Sequence, residues 1–489
     1  MRPQGGAEPG HQRAVAALVL GGLALHLGCA GRYGPHRDEL YLRACGRALA
    51  WGSPDHAPLG SALARLAELA GAGQLGLRVL AALAGALTVW WTARLTRRLG
   101  GDGAAGLCAA GAALLAPVLM HHAGVYGTGT LEVLAAVAGF DALVFALAAP
   151  GRARRWLLVG LAFGLGLLAK YTLGLWLVGL ALGLLASDRR RVLATPGPWL
   201  ALATALALLA PNLVWQARHG APALDFIASS HDAVRARFSR LAVLAAQPVL
   251  MHPVGFGLAL PGLARGWREA GVARVFAVAF VVAAAALVLA PGKPYYLAPG
   301  YLPLWALGAP ALARWLAARG RGLRVLLVAG TALAGAVAFV ITLPVLPRSL
   351  LRRLEVARIS SELPQFADWR AVVADIAHAH AVAGRVAEVV LTDSYGTAAA
   401  LELHGTGLPR VRSGANGYFL RGPGRQPAAL LVLGYPRALL GELCRELRVV
   451  GAVRAQGGAG NRYDFPRTIW LCRPRAQLAA LWPRLRRYD

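Results

Sequence analysis

The stretch RARRWLLVGLAFGLGLLAKYTLGLWLVGLALGLLASDRRR, residues 152–191, decides how the chain folds. Between its arginine clusters, the 32 residues 156–187 hold a single charged side chain, Lys170. At about 1.5 Å per residue such a helix runs about 48 Å, too long for one crossing of a hydrocarbon core about 30 Å thick and short for two. Arg152, Arg154 and Arg155 bracket one end and Arg189, Arg190 and Arg191 the other. Arginines concentrate in cytoplasmic loops of membrane proteins, so both ends read as cytoplasmic. The stretch predicts two short membrane helices, 156–170 and 171–187, with Lys170-Tyr171 at their apex on the outer face.

Working outward, apolar runs near 20 residues recur at 14–30, 77–96, 103–120, 130–149, 197–216, 241–263, 272–290, 298–317 and 323–345, giving about 11 membrane helices in all. Composition agrees: 57% of residues are hydrophobic and 15% charged, against about 25% charged in soluble domains. This excludes a disordered chain, a coiled coil, a collagen-like repeat and an ordinary soluble enzyme. The net charge of +28 does not point to nucleic acid, because the arginines fall in short clusters between apolar runs. The first run leads into a polar loop without a small-residue cleavage site, so it reads as a membrane helix and not a signal peptide. With the N-terminus inside, eleven spans leave the last 143 residues outside. The expected architecture is a mainly α, polytopic membrane domain over 1–346, with an outer loop at 31–76, and a C-terminal α/β soluble domain over 347–489.

In that second region, strand-like runs at 386–391, 428–433 and 469–472 alternate with helical patterns near 396–403, 437–447 and 477–485. No phosphate-loop or GxGxxG fingerprint occurs in a strand–turn–helix setting, and the glycines at 457–460 read as a plain loop. Cys444 and Cys472 could form a bridge if the domain is extracytoplasmic; the sequence leaves this open.

The outer face collects the chemistry. The loop Tyr33-Gly34-Pro35-His36-Arg37-Asp38-Glu39-Leu40-Tyr41 is followed by Trp51-Gly52-Ser53-Pro54-Asp55-His56. Adjacent carboxylates after a first membrane helix suit a general base and its positioning partner, against the plainer reading of a solvated loop with local Arg–Asp pairs. Asp55-His56 reads as a supporting pair or a metal-ligand pair. The chain has 49 arginines and two lysines, Lys170 and Lys293. Snorkelling to headgroups would serve equally with Arg, so the surviving lysines point to roles such as phosphate binding. At the same level lie His121-His122, Glu132, Asn212, Trp215, Gln216 and the loop Asp225…His231-Asp232, with Tyr295 and Tyr296 beside Lys293. Glu132, in an apolar helix, calls for a cationic or hydrogen-bonding partner. Together these groups suit an anionic, lipid-linked substrate.

The motifs, in order, resemble bacterial glycosyltransferase family 39, that of dolichyl-phosphate-mannose protein mannosyltransferases and the aminoarabinose transferases of lipid A. They are Tyr-Gly-x-x-Arg-Asp-Glu-Leu-Tyr (33–41), Trp-Gly-x-x-Asp-His-x-Pro-Leu (51–59), Leu-Leu-Ala-Lys-Tyr-Thr (167–172), Pro-Asn-Leu-Val-Trp-Gln (211–216) and Gly-Lys-Pro-Tyr-Tyr-Leu-Ala-Pro-Gly-Tyr (292–301). Ser394-Tyr395-Gly396-Thr397 and Ser413-Gly414-Ala415-Asn416-Gly417-Tyr418 look like the soluble tail of bacterial members. One departure is Ala57, where the usual Asp-His-Pro-Pro has a proline.

The resemblance implies a GT-C fold and a polyprenyl-phosphate-linked sugar as donor on the extracytoplasmic face of the plasma membrane. By it, Asp38 is the general base that deprotonates the acceptor, with inversion at the anomeric carbon. Lys170, Lys293 and Arg37 hold the leaving phosphate. Glu39 positions the acceptor or a divalent metal ion; members differ in metal use, so the cofactor stays open. Tyr41, Asp55, His56, Glu132, Tyr171, Asn212, Trp215, Tyr295 and Tyr296 complete the expected substrate site. The partners are then the lipid-linked sugar, membrane lipids and an acceptor that is a protein or, alternatively, lipid A or a cell-wall glycan. A transporter or flippase of lipid-linked sugar is the rival class; it would show internal repeats and charges near the membrane centre, whereas here no clear repeat is seen and the charges gather at one interface.

Overall fold

The computed structural model describes residues 9–237, 239–290, 292–354, 356, 360, 362–454 and 467–488; the glycines at 457–460 lie outside them. The helices up to residue 342 are α1 (Pro9–Cys29), α2 (Arg37–Arg47), α3 (Leu59–Leu69), α4 (Gly73–Arg98), α5 (Gly103–Leu115), α6 (Pro117–Gly124), α7 (Thr128–Leu147), α8 (Ala153–Ala169), α9 (Leu173–Leu185), α10 (Pro196–Arg218), α11 (Pro222–Arg237), α12 (Ala242–Ala245), α13 (Gln247–Leu250), α14 (Pro253–Arg268), α15 (Val272–Leu289), α16 (Ala298–Ala317) and α17 (Arg321–Thr342). Apolar runs become helices because a bilayer offers the backbone no hydrogen-bond partners outside the segment itself.

Every expected span coincides with a helix or a bent helix pair. Among the described residues, six helices (α1, α4, α7, α10, α15 and α17) are long and apolar enough alone to cross a membrane, or up to eight spans if each bent pair counts as one. The bends are 68° between α5 and α6 and 114° before α14. The other three expected spans are α8 and α9, with 17 and 13 residues, and α16, which carries Pro303 and Pro310 inside it. The chain is a multi-pass membrane protein. The long apolar stretch does break at Lys170, whose extended backbone (φ −157°, ψ 129°) ends α8.

Glycines set the spacing of the bundle. Gly160 and Gly164, one turn apart on α8, lie against Ala201 and Ala205 of α10; a Cβ on Gly160 would stand 2.4 Å from the Ala201 carbonyl oxygen. Gly179 and Gly183 do the same for α9 against Ala279 and Val275 of α15. Between helices in lipid, close backbone approach replaces the hydrophobic drive available in water.

The segment 31–76, expected as a loop, contains two helices. Its polar residues cap and face a site, while Leu40, Tyr41, Leu42 and Ala44 give α2 a buried face. That apolar set is too short to stand out beside the membrane spans.

The C-terminal segment adds α18 (Arg348–Arg353), α19 (Trp369–Val382), α20 (Tyr395–His404), α21 (Asn416–Phe419) and α22 (Arg437–Leu443), with β1 (Val389–Thr392), β2 (Arg410–Ser413), β3 (Leu430–Leu433), β4 (Cys444–Val453) and β5 (Arg467–Pro474). The sheet order is β2-β1-β3-β5-β4. β2, β1 and β3 run parallel, with Val390 beside both Val411 and Leu431, and β5 is antiparallel to β3 and β4. Alternate residues serve two cores: Val390, Leu431 and Leu433 pack with Trp369 and Ile376 of α19, and Val389, Leu391, Leu430 and Val432 pack with Leu440 and Trp482. Cys444 and Cys472 form a disulfide between β4 and β5. The expected helix at 437–447 ends at Leu443, where β4 begins. The carboxyl ends of β1 and β2 turn onto α2 and the 51–56 turn.

Candidate active site

Adjacent in the chain, Asp38 and Glu39 meet opposite environments. Glu39 is wholly buried. Arg78 grips it with two hydrogen bonds of 3.1 Å, one to each oxygen, and the backbone N–H groups of His36 (2.8 Å) and Tyr126 (3.3 Å) donate to it as well. Arg78 also donates to the carbonyls of Ala30 and Gly34, at 2.6 and 2.8 Å. With both oxygens engaged, the expectation that Glu39 meets an acceptor or a metal ion does not fit this arrangement. The Glu39–His36 contact is half of a capping box that starts α2.

Asp38 is open, with its side chain 49% exposed. Its Oδ1 accepts a hydrogen bond of 2.7 Å from the Tyr395 hydroxyl. Burial alone would raise its pKa, but His36, Arg37 and the Tyr395 hydroxyl together hold it below the usual carboxylate value. His36 accepts from the Asp38 N–H through Nδ1 (3.2 Å), and its Nε2 lies 3.7 Å from Glu362 Oε2. His121 Nε2 lies 3.8 Å from the same oxygen. Arg37, expected at the phosphate, is buried with its guanidinium 4.1 Å above the Tyr395 ring.

Asp55 is held by neutral donors. Tyr41 (2.9 Å) and Ser53 (2.7 Å) donate to Oδ1, and the Asn416 amide donates to Oδ2 (3.2 Å). The Tyr41 hydroxyl in turn accepts from the Gly417 N–H at 2.8 Å. His56 is buried beside this cluster; burial opposes its protonation, but Asp55 and Cys45 outweigh that and raise its pKa to about 9.

Across the site, Lys170 Nζ lies 3.0 Å from Glu132 Oε2 and 4.8 and 4.7 Å from the Tyr295 and Tyr296 ring centroids. Glu132 also accepts from the Thr172 hydroxyl. Lys170 is therefore engaged, whereas Lys293 has no ion pair among the described residues and stands partly exposed before Pro294. Tyr295 and Tyr296 meet edge to face, with ring centroids 5.0 Å apart.

Tyr171 joins the sides. Its hydroxyl accepts from Asn212 (3.0 Å) and Gln216 (3.1 Å), whose amides also donate to the carbonyls of Trp51 (2.7 Å) and Ser53 (3.1 Å). Trp215 packs on Gly52, where a Cβ would come 2.3 Å from its ring, and stacks on His219 at 4.2 Å. A small, mostly apolar pocket opens among α1, α4, α5, α6 and α7, lined by Val19, Leu23, Val89, Leu114, Val133 and His122. His122 also meets Tyr295, at 6.3 Å between rings, so this apolar space adjoins the lysine side. Among the described residues, no three His, Cys, Asp or Glu side chains are grouped to hold a metal ion.

Sequence reasoning missed Arg78, Thr172 and Glu362. Arg78 had a signal, a lone arginine just inside an apolar span, and Thr172 closes the motif Leu-Leu-Ala-Lys-Tyr-Thr without being singled out; Glu362 had none.

The model of the family described as dolichyl-phosphate-mannose-protein mannosyltransferase matches residues 55–215. Two solved structures of ArnT from Cupriavidus metallidurans share the fold. The apo form aligns with a TM-score of 0.59 at 15% identity over 94% of this chain and 98% of that one. The form bound to undecaprenyl phosphate aligns with 0.59 at 15% over 95% and 98%. The oligosaccharyltransferase AglB from Archaeoglobus fulgidus aligns at 0.45, with 14% identity over 68% of this chain and 55% of that one. No curated protein matches the sequence significantly. The chain thus shares the fold of the ArnT structures, and the family model matches one part of it, residues 55–215.

Proposed function

We propose that the protein transfers a sugar from a polyprenyl-phosphate donor to an acceptor hydroxyl on the extracytoplasmic face. The observation that carries this reading is the contrast among the carboxylates: Glu39 and Glu132 are locked in ion pairs, while Asp38 is half exposed, accepts a hydrogen bond from the Tyr395 hydroxyl and has a lowered pKa. Asp38 takes the proton of the acceptor hydroxyl as its oxygen bonds to the anomeric carbon. The bond from that carbon to the phosphate oxygen breaks on the opposite side, inverting the centre, and the electron pair leaves on the polyprenyl phosphate. Lys293 meets the developing negative charge, with Lys170 behind the tyrosines. Glu39 and Arg37 act as positioning residues, and Asp55, His56, Tyr41, Asn212 and Trp215 shape the acceptor side.

The ArnT structure bound to undecaprenyl phosphate supports a polyprenyl-phosphate donor. Arginine clusters on the opposite loops support the orientation, as does the disulfide, a bond of oxidising compartments.

The test uses purified protein in liposomes with a panel of radiolabelled polyprenyl-phosphate sugars and acceptor extracts, following sugar release. Wild type turns over one donor, Asp38→Asn loses at least about 10³-fold in rate, and Lys293→Arg raises donor KM more than it lowers kcat. Lipid movement between leaflets without sugar release would instead make the protein a transporter.

A further inference from the structure

Asp38 receives its hydrogen bond from a residue 357 positions away. Tyr395 stands at the start of α20, just past the carboxyl end of β1, with its hydroxyl 2.7 Å from Asp38 Oδ1. Its ring lies beneath the Arg37 guanidinium at 4.1 Å and against Tyr41 at 4.7 Å. The approach depends on Gly396, where a Cβ would come 3.0 Å from the Arg37 Cβ and 3.2 Å from the Trp369 ring. Trp369 pins the same corner through its indole N–H, 2.9 Å from the Pro35 carbonyl. The loop after β2 gives an independent anchor, through Asn416, held at φ 46°, on Asp55 and through the Gly417 N–H on Tyr41.

We propose that Tyr395 is a positioning residue for the base: its hydroxyl fixes Asp38 Oδ1, leaving Oδ2 to face the acceptor, so that the C-terminal segment is part of the catalytic centre. The inference rests on the reading of Asp38 as base. A pinned carboxylate explores fewer orientations, which favours the reactive one. A neutral O–H donor also steadies the anion without neutralising it, in contrast to Arg78 on Glu39. The other groups facing Asp38 are His36, Arg37 and Glu39 from its own helix end, Glu362, His121 of α6 and Tyr295. Their fields set the baseline pKa, and the Tyr395 hydroxyl adds a directional contribution to it.

The experiment compares kcat against pH for two variants in the liposome assay. Tyr395→Phe keeps the ring under Arg37 and removes the donor. It is expected to lower kcat about 10-fold with donor KM unchanged, and to move the acidic limb up by about one pH unit as the carboxylate loses a hydrogen bond. Replacing Tyr395 with 3-fluorotyrosine keeps the shape and strengthens the donor, and is expected to move the limb down. Wild-type limbs in both would overturn the proposal, and if Tyr395→Phe does not fold, the fluorinated protein decides alone. Asp38→Asn in the same liposomes separates the two readings. Wild-type turnover there removes the base itself, whereas a silent Asp38→Asn beside two Tyr395 variants indistinguishable from wild type removes only the positioning role.

Discussion

The two sides of the site hold charge by different means. On the acid side, Asp38 and Asp55 accept hydrogen bonds from neutral hydroxyl and amide donors, two of them (Tyr395 and Asn416) from the C-terminal segment, with His36, Arg37 and His56 adding charge nearby. On the lysine side, Lys170 is matched by a full opposite charge on Glu132 beneath two aromatic rings. A carboxylate among neutral donors keeps its charge for chemistry, whereas a cation paired with a carboxylate gives up most of its field and orders the wall around it. Glu39 is the exception on the acid side, neutralised by Arg78 as fully as Lys170 is by Glu132.

That exception can break the comparison with the largest expected effect on stability. Arg78→Met leaves the buried Glu39 charge unpaired and is expected to destabilise the protein by about 3–5 kcal/mol. Thermal unfolding in detergent reads this out. The double variant Glu39→Gln with Arg78→Met should recover most of the loss, because neither charge then needs a partner. If the single variant unfolds at the wild-type temperature, the acid side does not depend on this pair.

His56 sharpens the comparison through pH. Its folded pKa of about 9 exceeds the ordinary value of 6.5, so its contribution to stability is fully present below 6.5 and is lost as pH rises through about 9. The size is about 3 kcal/mol at most. Asp38 has the opposite sign: its depressed pKa makes its contribution present above the ordinary carboxylate value and lost in acid. The expected outcome is an alkaline fall in melting temperature between pH 7 and 10 that His56→Gln removes. An unchanged alkaline fall in that variant would show that His56 is neutral in the folded protein, and that Asp55 is held by its neutral donors alone.

How much of this was legible in the sequence follows from how far each partner lies along the chain. The membrane helices were plain because each satisfies its own backbone, and the break at Lys170 followed from arithmetic on one apolar run. The different fates of Asp38 and Glu39 were not legible, since Arg78 and Tyr126 meet Glu39 only after α4 and α7 have packed. Asn416 and Tyr395 stood in recognisable motifs, yet nothing local says that they reach back across more than 350 residues to Asp55 and Asp38. β2, with the sequence Arg-Val-Arg-Ser, hid because two of its four residues are arginines at the sheet edge. β4 hid because its start continues the apolar pattern of α22.

The smallest effect belongs to the link between the sides. Tyr171 follows Lys170 directly, yet its hydroxyl serves the acid side, accepting from the two amides that hold the Trp51 and Ser53 carbonyls next to Asp55. Tyr171→Phe leaves each amide one carbonyl acceptor, so the stability cost should be about 1 kcal/mol. If the bridge aligns the base with the donor, kcat falls by roughly 3–10-fold, more than that small loss of stability would suggest, because misplacement of reacting groups is costly even at a fraction of an ångström. Donor KM should stay constant, since Lys293 and Lys170, the residues proposed to meet the phosphate charge, are untouched. A shift in melting temperature with kcat unchanged would mean that the backbone of α8, α9 and α10 aligns the two sides without the hydroxyl. The close contacts of Gly160 and Gly164 with α10 would then be the next place to intervene.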